Sequence, residues 1–254
     1  MLPRRVQPEI LDSLPPDHPD AVHNRRDLRF FNALMGNYRW MAKVLGANLR
    51  PRDRILELGA GEGDLGRYLQ RRIYRERAQQ VCAPASDARA CRGADLLRPP
   101  SHTPPGSSLN PSPPPYSGLD LWPRPTSWPA TWSWHRHDLA KFSHYADHSV
   151  IIGNLILHQF EDNLLAALGR QWRTHARLLI FCEPARSNLH LAQLPLARLA
   201  GINYVSRHDA RVSIQGGFHA RELPQLLGLD TPPWRIALHR TFLGAYRLVA
   251  LREC

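Results

Sequence analysis

The 254-residue chain predicts an open α/β fold: a doubly wound, seven-stranded, mostly parallel sheet with an antiparallel strand pair at the C-terminus and helices ahead of the first strand. Three observations carry this. Short apolar runs alternate with segments of helical periodicity. Two of the runs, in 148–160 (HSVIIGNLILHQF) and 176–185 (ARLLIFCEPA), are continuously apolar, as strands buried on both faces must be. The terminal stretch WRIALHRTFLGAYRLVALRE contains two strands joined tightly around Gly244.

The elements follow in order. Residues 1–23 form an N-terminal extension, and the domain proper spans 24–252. Residues 24–48 carry Leu28, Phe31, Leu34 and Met35, then Met41 and Leu45, at helical spacing, with Gly36-Asn37 breaking them into two helices. The first strand is 54–58 and the helix after it is 64–72. Residues 77–115 are a Pro/Ser/Ala/Arg tract without sustained apolar periodicity. Such a tract cannot bury enough surface to offset its ordering entropy, so a largely disordered insertion is expected. Strands resume at 116–121, 131–139 and within 148–160. Asp162 opens a helix, and Pro184 stops the strand in 176–185.

No apolar run is long enough to cross a bilayer and no secretory signal is visible, so a cytoplasmic protein is expected. Cys82, Cys91, Cys182 and Cys254 match neither zinc-ligand nor redox spacing and are expected to be free thiols. The formal charge of +11 raises nucleic acid as a partner. The arginines that supply it are scattered, with no dense basic block, which argues against that partner.

The stretch ILELGAGEGDLGRYL holds two overlapping frames. One is Gly61-x-Gly63-x-x-Gly66, the dinucleotide spacing, which requires an acid ending a second strand about 20 residues on. That region is QQVCAPASD, which is no strand. The other frame starts at Glu57 and runs through Gly59, Gly61 and Gly63. Glycines admit a ligand close to the backbone, and a helix from Asp64 offers free N–H groups. Asp120 ends the second strand, Asp138 follows the third and Asn154 ends the fourth. In a parallel sheet these ends face one crevice. An acid after strand two can accept both hydroxyls of a ribose, and one after strand three an adenine amine. The set fits an adenosine-type ligand.

LELGAGEGDLG, GLDL, HRHDL and IIGNLILHQF, in that order, resemble the class I S-adenosylmethionine-dependent methyltransferases, whose fold is Rossmann-like. RRDLRFFNALMGNYRW and RHDARVSIQGGFHARELPQLLGL resemble their small-molecule branch, related to ubiquinone-biosynthesis enzymes and including enzymes found with type III polyketide synthases. The resemblance covers 24–252 apart from the insertion. It implies S-adenosyl-L-methionine as cofactor and a small, hydrophobic or aromatic acceptor methylated on O or C. It places Glu57 by the methionine ammonium and Gly59, Gly61 and Gly63 beneath the cofactor. Asp120 takes the ribose, and Leu121 packs on the adenine. Asp138 takes the adenine amine, Leu139 supplies a backbone donor, and Asn154 borders the reacting methyl.

Each residue has a plainer role open to it. Glu57 could be a solvated charge, Asp120 a turn residue before Pro123, Asp138 a helix cap and Asn154 a holder of a backbone carbonyl. His158 and His208 are candidate general bases, or hydrogen-bonded structural histidines. Arg207, Asp209 and Arg211 are candidate substrate contacts, or surface pairs. No metal is called for, because a sulfonium leaving group is already activated. A nucleic-acid methyltransferase is the first alternative, disfavoured by the lack of an (Asn/Asp)-Pro-Pro-aromatic motif after strand four. A non-catalytic scaffold is the second, disfavoured by the intact Glu57, glycines, Asp120 and Asp138.

Overall fold

A computed structural model describes residues 2–15, 17–82, 114–199 and 201–253. Seven strands form one sheet: β1 (Ile55–Leu58), β2 (Tyr116–Asp120), β3 (Ser133–Arg136), β4 (Val150–Asn154), β5 (Leu178–Pro184), β6 (Trp234–Arg240) and β7 (Ala245–Arg252). Their order is β3-β2-β1-β4-β5-β7-β6. The first five run parallel, and β7 is antiparallel to both β5 and β6. Strand order reverses between β1 and β4, which opens a crevice at their carboxyl ends.

Side-chain alternation divides the core. Leu56, Leu58, Ile151, Leu179 and Phe181 point to one face of the sheet. Ile55, Val150, Ile152, Leu178 and Ile180 point to the other. There they meet Met41 and Leu45 of α2 (Asn37–Asn48) and Leu65 and Leu69 of α3 (Asp64–Cys82). The opposite face is covered by α4 (Asp162–His175), through Leu165, Leu168 and Trp172, and by Leu223 of α7 (Glu222–Leu226). Two further helices, α5 (Asn188–Leu199) and α6 (Tyr204–Gly216), lie between β5 and α7 in the chain.

Helix α1 (Pro19–Met35) starts five residues before the expected 24, with Pro19 in its first turn and His18 Nδ1 accepting the Asp20 N–H. Gly36, at φ 66°, ends α1 and leads straight into α2, so the expected break is there. The apolar stripe behaves otherwise. Leu28, Phe31 and Met35 are only partly buried and Leu34 is 51% exposed. The buried residues of α1 are Ala21, Asn24, Asp27 and Asn32. Asn24 donates to Asp209 of α6, and Asp27 accepts from the Asn203 N–H and the Ser206 hydroxyl. The helix therefore docks on α6 by hydrogen bonds. Helical spacing shows that a stripe exists, and tertiary packing decides which stripe is covered.

The N-terminal segment is tied into the domain. Arg4 donates to the carbonyls of Gly216 and Phe160, Arg186 donates to Leu2 O, and Asp209 accepts the N–H groups of Ile10 and Leu11. Helix α3 runs ten residues past the expected end at Arg72 and takes in the start of the Pro-rich tract; residues 83–113 of that tract lie outside the described residues. The third strand is shorter than expected, Ser133–Arg136, while the fourth, Val150–Asn154, ends at Asn154 as expected. Asp138 and His158 thus fall in 3₁₀ turns, at the start of Leu139–Lys141 and within Leu157–Gln159.

Between β2 and β3 there is no crossover helix. Trp128 and Trp132, both buried, fill its place beside Tyr116, with ring centroids 4.4 Å apart for Tyr116–Trp132 and 5.2 Å for Trp128–Trp132. This plug explains Gly66, where a Cβ would sit 2.8 Å from Trp132, 2.9 Å from Tyr116 and 3.0 Å from Glu57 Oε2. Gly66 is a packing position in α3. Replacing it with alanine is expected to cost about 1–3 kcal/mol by overpacking, measured by urea unfolding. A change below about 0.5 kcal/mol would show that Trp132 yields freely.

Candidate active site

The glycine loop leaves β1 and turns over the end of β2. Gly59, Gly61 and Gly63 have φ of 61°, 50° and 76°, the left-handed region that side chains resist. The N–H groups of Gly59 and Ala60 donate to Leu119 O. The Gly61 N–H donates to Asp120 Oδ2 at 2.8 Å, and the Trp122 N–H donates to Oδ1 at 2.9 Å. A Cβ on Gly59 would meet Ile156 at 2.8 Å and one on Gly63 would meet Trp128 at 2.7 Å, so both sites need glycine for packing as well. A Cβ on Gly61 would meet nothing within 4 Å. The loop is therefore pinned from below and bare above its middle glycine. Each Asp120 oxygen keeps a lone pair beyond its backbone bond. Burial raises the Asp120 carboxyl, against the pull of the backbone N–H groups.

Glu57 is buried rather than solvated, at 3% exposure, and accepts the Tyr116 hydroxyl on Oε2 at 2.6 Å. Burial pushes its carboxyl up to about 8; the Tyr116 hydrogen bond opposes this, while Asp120 and Asp64 add to it. A cation placed nearby would draw the group back to its ionised form.

The outer candidates are more mixed. Leu121 is 64% exposed beside Asp120. Asp138 Oδ1 accepts the Ala140 N–H at 2.9 Å, so the residue does cap the turn that follows. Leu139 is buried in the core and its carbonyl accepts the Tyr145 hydroxyl. Asn154 donates from Nδ2 to Asn32 Oδ1 at 3.0 Å, while its own Oδ1 is buried without a partner. Helix α1 crosses this edge. It pairs Arg25 with Glu62 and Arg29 with Asp64 at the glycine loop, and reaches Asn154 through Asn32.

The two histidines divide. His158 is not available as a base. Its Nδ1 lies 2.8 Å from Glu183 Oε2 and its Nε2 lies 3.2 Å from Glu9 Oε1. Ionised carboxylates only accept, so both ring nitrogens carry protons and no lone pair remains. Burial works against the charged ring, but the bonds to Glu183 and Glu9 outweigh it and push its pKa up to about 9. Glu9, held also by Ser213 and Gln159, is lowered in turn: burial opposes, and His158 prevails. Glu183 further accepts the N–H groups of Ile156, Leu157 and His158 and so shapes the turn after β4. His208 is 48% exposed in its side chain, with Nδ1 3.1 Å from Asp209 Oδ1. A proton on Nδ1 meets that carboxylate and leaves the Nε2 lone pair free. Asp209, a candidate substrate contact by sequence, is instead buried and occupied by Ile10, Leu11 and Asn24.

Sequence reasoning passed over Asn32, Asn37, Glu9 and Glu183. Only Glu183 carried a local signal, an acid inside an apolar strand run. Among the described residues no cluster of three His, Cys, Asp or Glu side chains could hold a metal, and no helix is long and apolar enough to cross a membrane.

No protein-family profile matches the chain, and no curated protein does. Solved structures do. The plantazolicin methyltransferase BpumL in complex with SAH superposes with a TM-score of 0.61 at 11% identity, over 96% of this chain and 93% of that one. The plantazolicin methyltransferase BamL, in complex with a triazolic desmethylPZN analog and SAH, gives 0.60 at 10% identity, over 96% and 93%. The chain has the fold of these proteins, a Rossmann-like, seven-stranded sheet with an antiparallel C-terminal pair.

The state of His158 has a measurable consequence. A folded-state pKa of about 9, above the ordinary 6.5, means that its stabilising contribution is complete below pH 6.5 and lost as pH rises through 9. The raised carboxyl of Glu57 adds its own decline between about 4.5 and 8. Thermal melts of His158→Gln are therefore expected to lose most of the wild-type decline towards pH 9, where the Glu57 contribution is fading and that of His158 is still being lost. An unaltered slope there would show that the ring is not charged in the folded protein.

Proposed function

We propose that the chain is an S-adenosylmethionine-dependent methyltransferase acting on a small molecule. The observation that carries this is the Asp120 carboxylate. It is pinned by the Gly61 and Trp122 N–H groups and keeps lone pairs beside a loop that is bare above Gly61. An acid so held, next to a glycine loop on the adjacent strand, suits a ribose with two neighbouring hydroxyls. The fold shared with BpumL and BamL, both solved with SAH, supports the same reading.

In this reading Asp120 holds the ribose, Leu121 lies along the adenine, and Asp138 and Leu139 meet its edge. Gly59, Gly61 and Gly63 support the cofactor from below, Glu57 serves its amino-acid end, and Asn154 stands where that end meets the reacting methyl. Bound there, S-adenosylmethionine supplies a methyl group on a positively charged sulfur. The protein's share is alignment of acceptor and methyl, an effect worth up to about 7–11 kcal/mol. Helix α1 spans this edge from the glycine loop to Asn154. Leu28 and Met35, partly buried one turn either side of Asn32, favour a hydrophobic or aromatic acceptor. Where that acceptor must lose a proton, His208 keeps the free ring nitrogen that His158 lacks.

Calorimetry with SAH tests the reading, with NADH as control. Micromolar-range binding of SAH and none of NADH is expected. Asp120→Ala is expected to weaken SAH by about tenfold or more, the loss of charge-assisted hydrogen bonds. Failure of the folded wild type to bind SAH would overturn the proposal. The Glu57 carboxyl, neutral below about pH 8, must give up its proton to meet a cationic group. SAH affinity is therefore expected to rise from pH 6 to 8, and to do so less in Glu57→Gln, measured by titration across buffers. Equal pH profiles in both proteins would remove Glu57 from the ammonium site.

A further inference from the structure

Resting on that reading, we propose that the junction of α1 and α2 completes the cofactor site. Asn32 orients Asn37 and Asn154 so that two buried amide oxygens receive the ammonium group of the cofactor's amino-acid end. The argument begins with Asn32, which is 4% exposed. Its Nδ2 donates to Leu28 O at 3.0 Å and to the Tyr38 hydroxyl at 3.4 Å, which fixes its Oδ1 as an acceptor. Onto that oxygen converge Asn37 Nδ2 at 3.1 Å and Asn154 Nδ2 at 3.0 Å. Neither neighbour can flip without setting two acceptor oxygens against each other. Both therefore turn their own Oδ1 away from Asn32, and both of those oxygens are buried without a partner. Asn37 is 0% exposed. Buried acceptors left unpaired are costly, and two around one shared residue mark a place built for a donor.

The placement fits. Asn154 stands one position past the pair Leu58↔Gly153, so it sits across from the start of the glycine loop. By alternation it shares a sheet face with Ile152, and Glu57 shares that face with Ile55 on the adjacent strand. Tyr38, beside Asn32, has its hydroxyl held above the usual range by burial, then by Glu57 and Asp64, which places these groups in one neighbourhood. Two amide oxygens and a carboxyl group offer acceptors to a group with several N–H donors. They would repel a carboxylate. The nearby cations already face other groups: Arg29 and Arg67 pair with Asp64, and Arg247 donates to Met35 O and lies 5.2 Å over the Trp40 ring, with only its Nε buried and unpaired.

The test compares SAH with 5′-methylthioadenosine, which keeps the nucleoside and sulfur and lacks the amino-acid end. Titration calorimetry would be run on wild type, Asn154→Ala and Asn32→Leu, each first shown to be folded by thermal melting. Both variants are expected to weaken SAH by about tenfold or more and to leave methylthioadenosine within about twofold. Unchanged SAH affinity in Asn154→Ala would overturn the inference, and this variant decides the matter if Asn32→Leu fails to fold. Equal loss for both compounds would also overturn it, because the amino-acid end would not be what is recognised. Wild type that binds both compounds equally defeats this inference alone. Wild type that binds neither defeats the proposed function with it.

Discussion

The carboxylate of Asp120 holds the candidate site together. Its two oxygens take the N–H of Gly61 from the loop after β1 and that of Trp122 from the loop after β2. Those loops leave adjacent parallel strands, and each brings a backbone amide that needs an acceptor. One side chain thus sets the height of the glycine loop, the direction of the chain after β2 and the position of its own free lone pairs. The three left-handed glycines are the backbone's side of the same arrangement, because no other residue turns so tightly under Ile156 and Trp128.

The same device recurs along the carboxyl edge of the sheet. Glu183, fully buried on β5, accepts three successive N–H groups from the turn after β4, along with the ring of His158. Asp209 on α6 accepts two from the N-terminal segment and a third bond from Asn24. The interior of the sheet is held by apolar burial. Its working edge is held by acids that bind backbone, and the elements laid over it, α1 and the N-terminal segment, dock through polar contacts. Hydrogen bonds are directional, so this edge gains defined geometry where burial alone would fix only proximity. The charge of His158 belongs to this scheme: it is the cation that makes two buried carboxylates tolerable.

Legibility in the sequence followed the range of the interaction. Glu57, the three glycines, Asp120 and Asn154 could be found because each stands at the end of an apolar run, and strand ends are visible in local pattern. Gly66 could be set aside because the acid its frame required was missing. The plug of Trp128 and Trp132, which explains what Gly66 is for, was not visible, since no spacing announces a loop that replaces a helix. The stripe of Leu28, Phe31, Leu34 and Met35 announced the helix and left its buried face open. Periodicity reports the shape of a helix, and α1 is covered along a different, polar stripe.

By itself the sequence determined the alternation of strands and helices along the chain, the mostly parallel character of the sheet, and the residues at the strand ends. These follow from backbone geometry and hydrophobic period, which act over a few residues at a time. Only the tertiary structure decided what those residues do to one another. His158 is a cation because Glu9, 149 residues away, comes back to meet it. Asn154 faces its oxygen away from Asn32 because that residue, 122 positions earlier, holds its nitrogen. Protonation and amide orientation are properties of a partner's field and lone pairs, and the partner is chosen by folding.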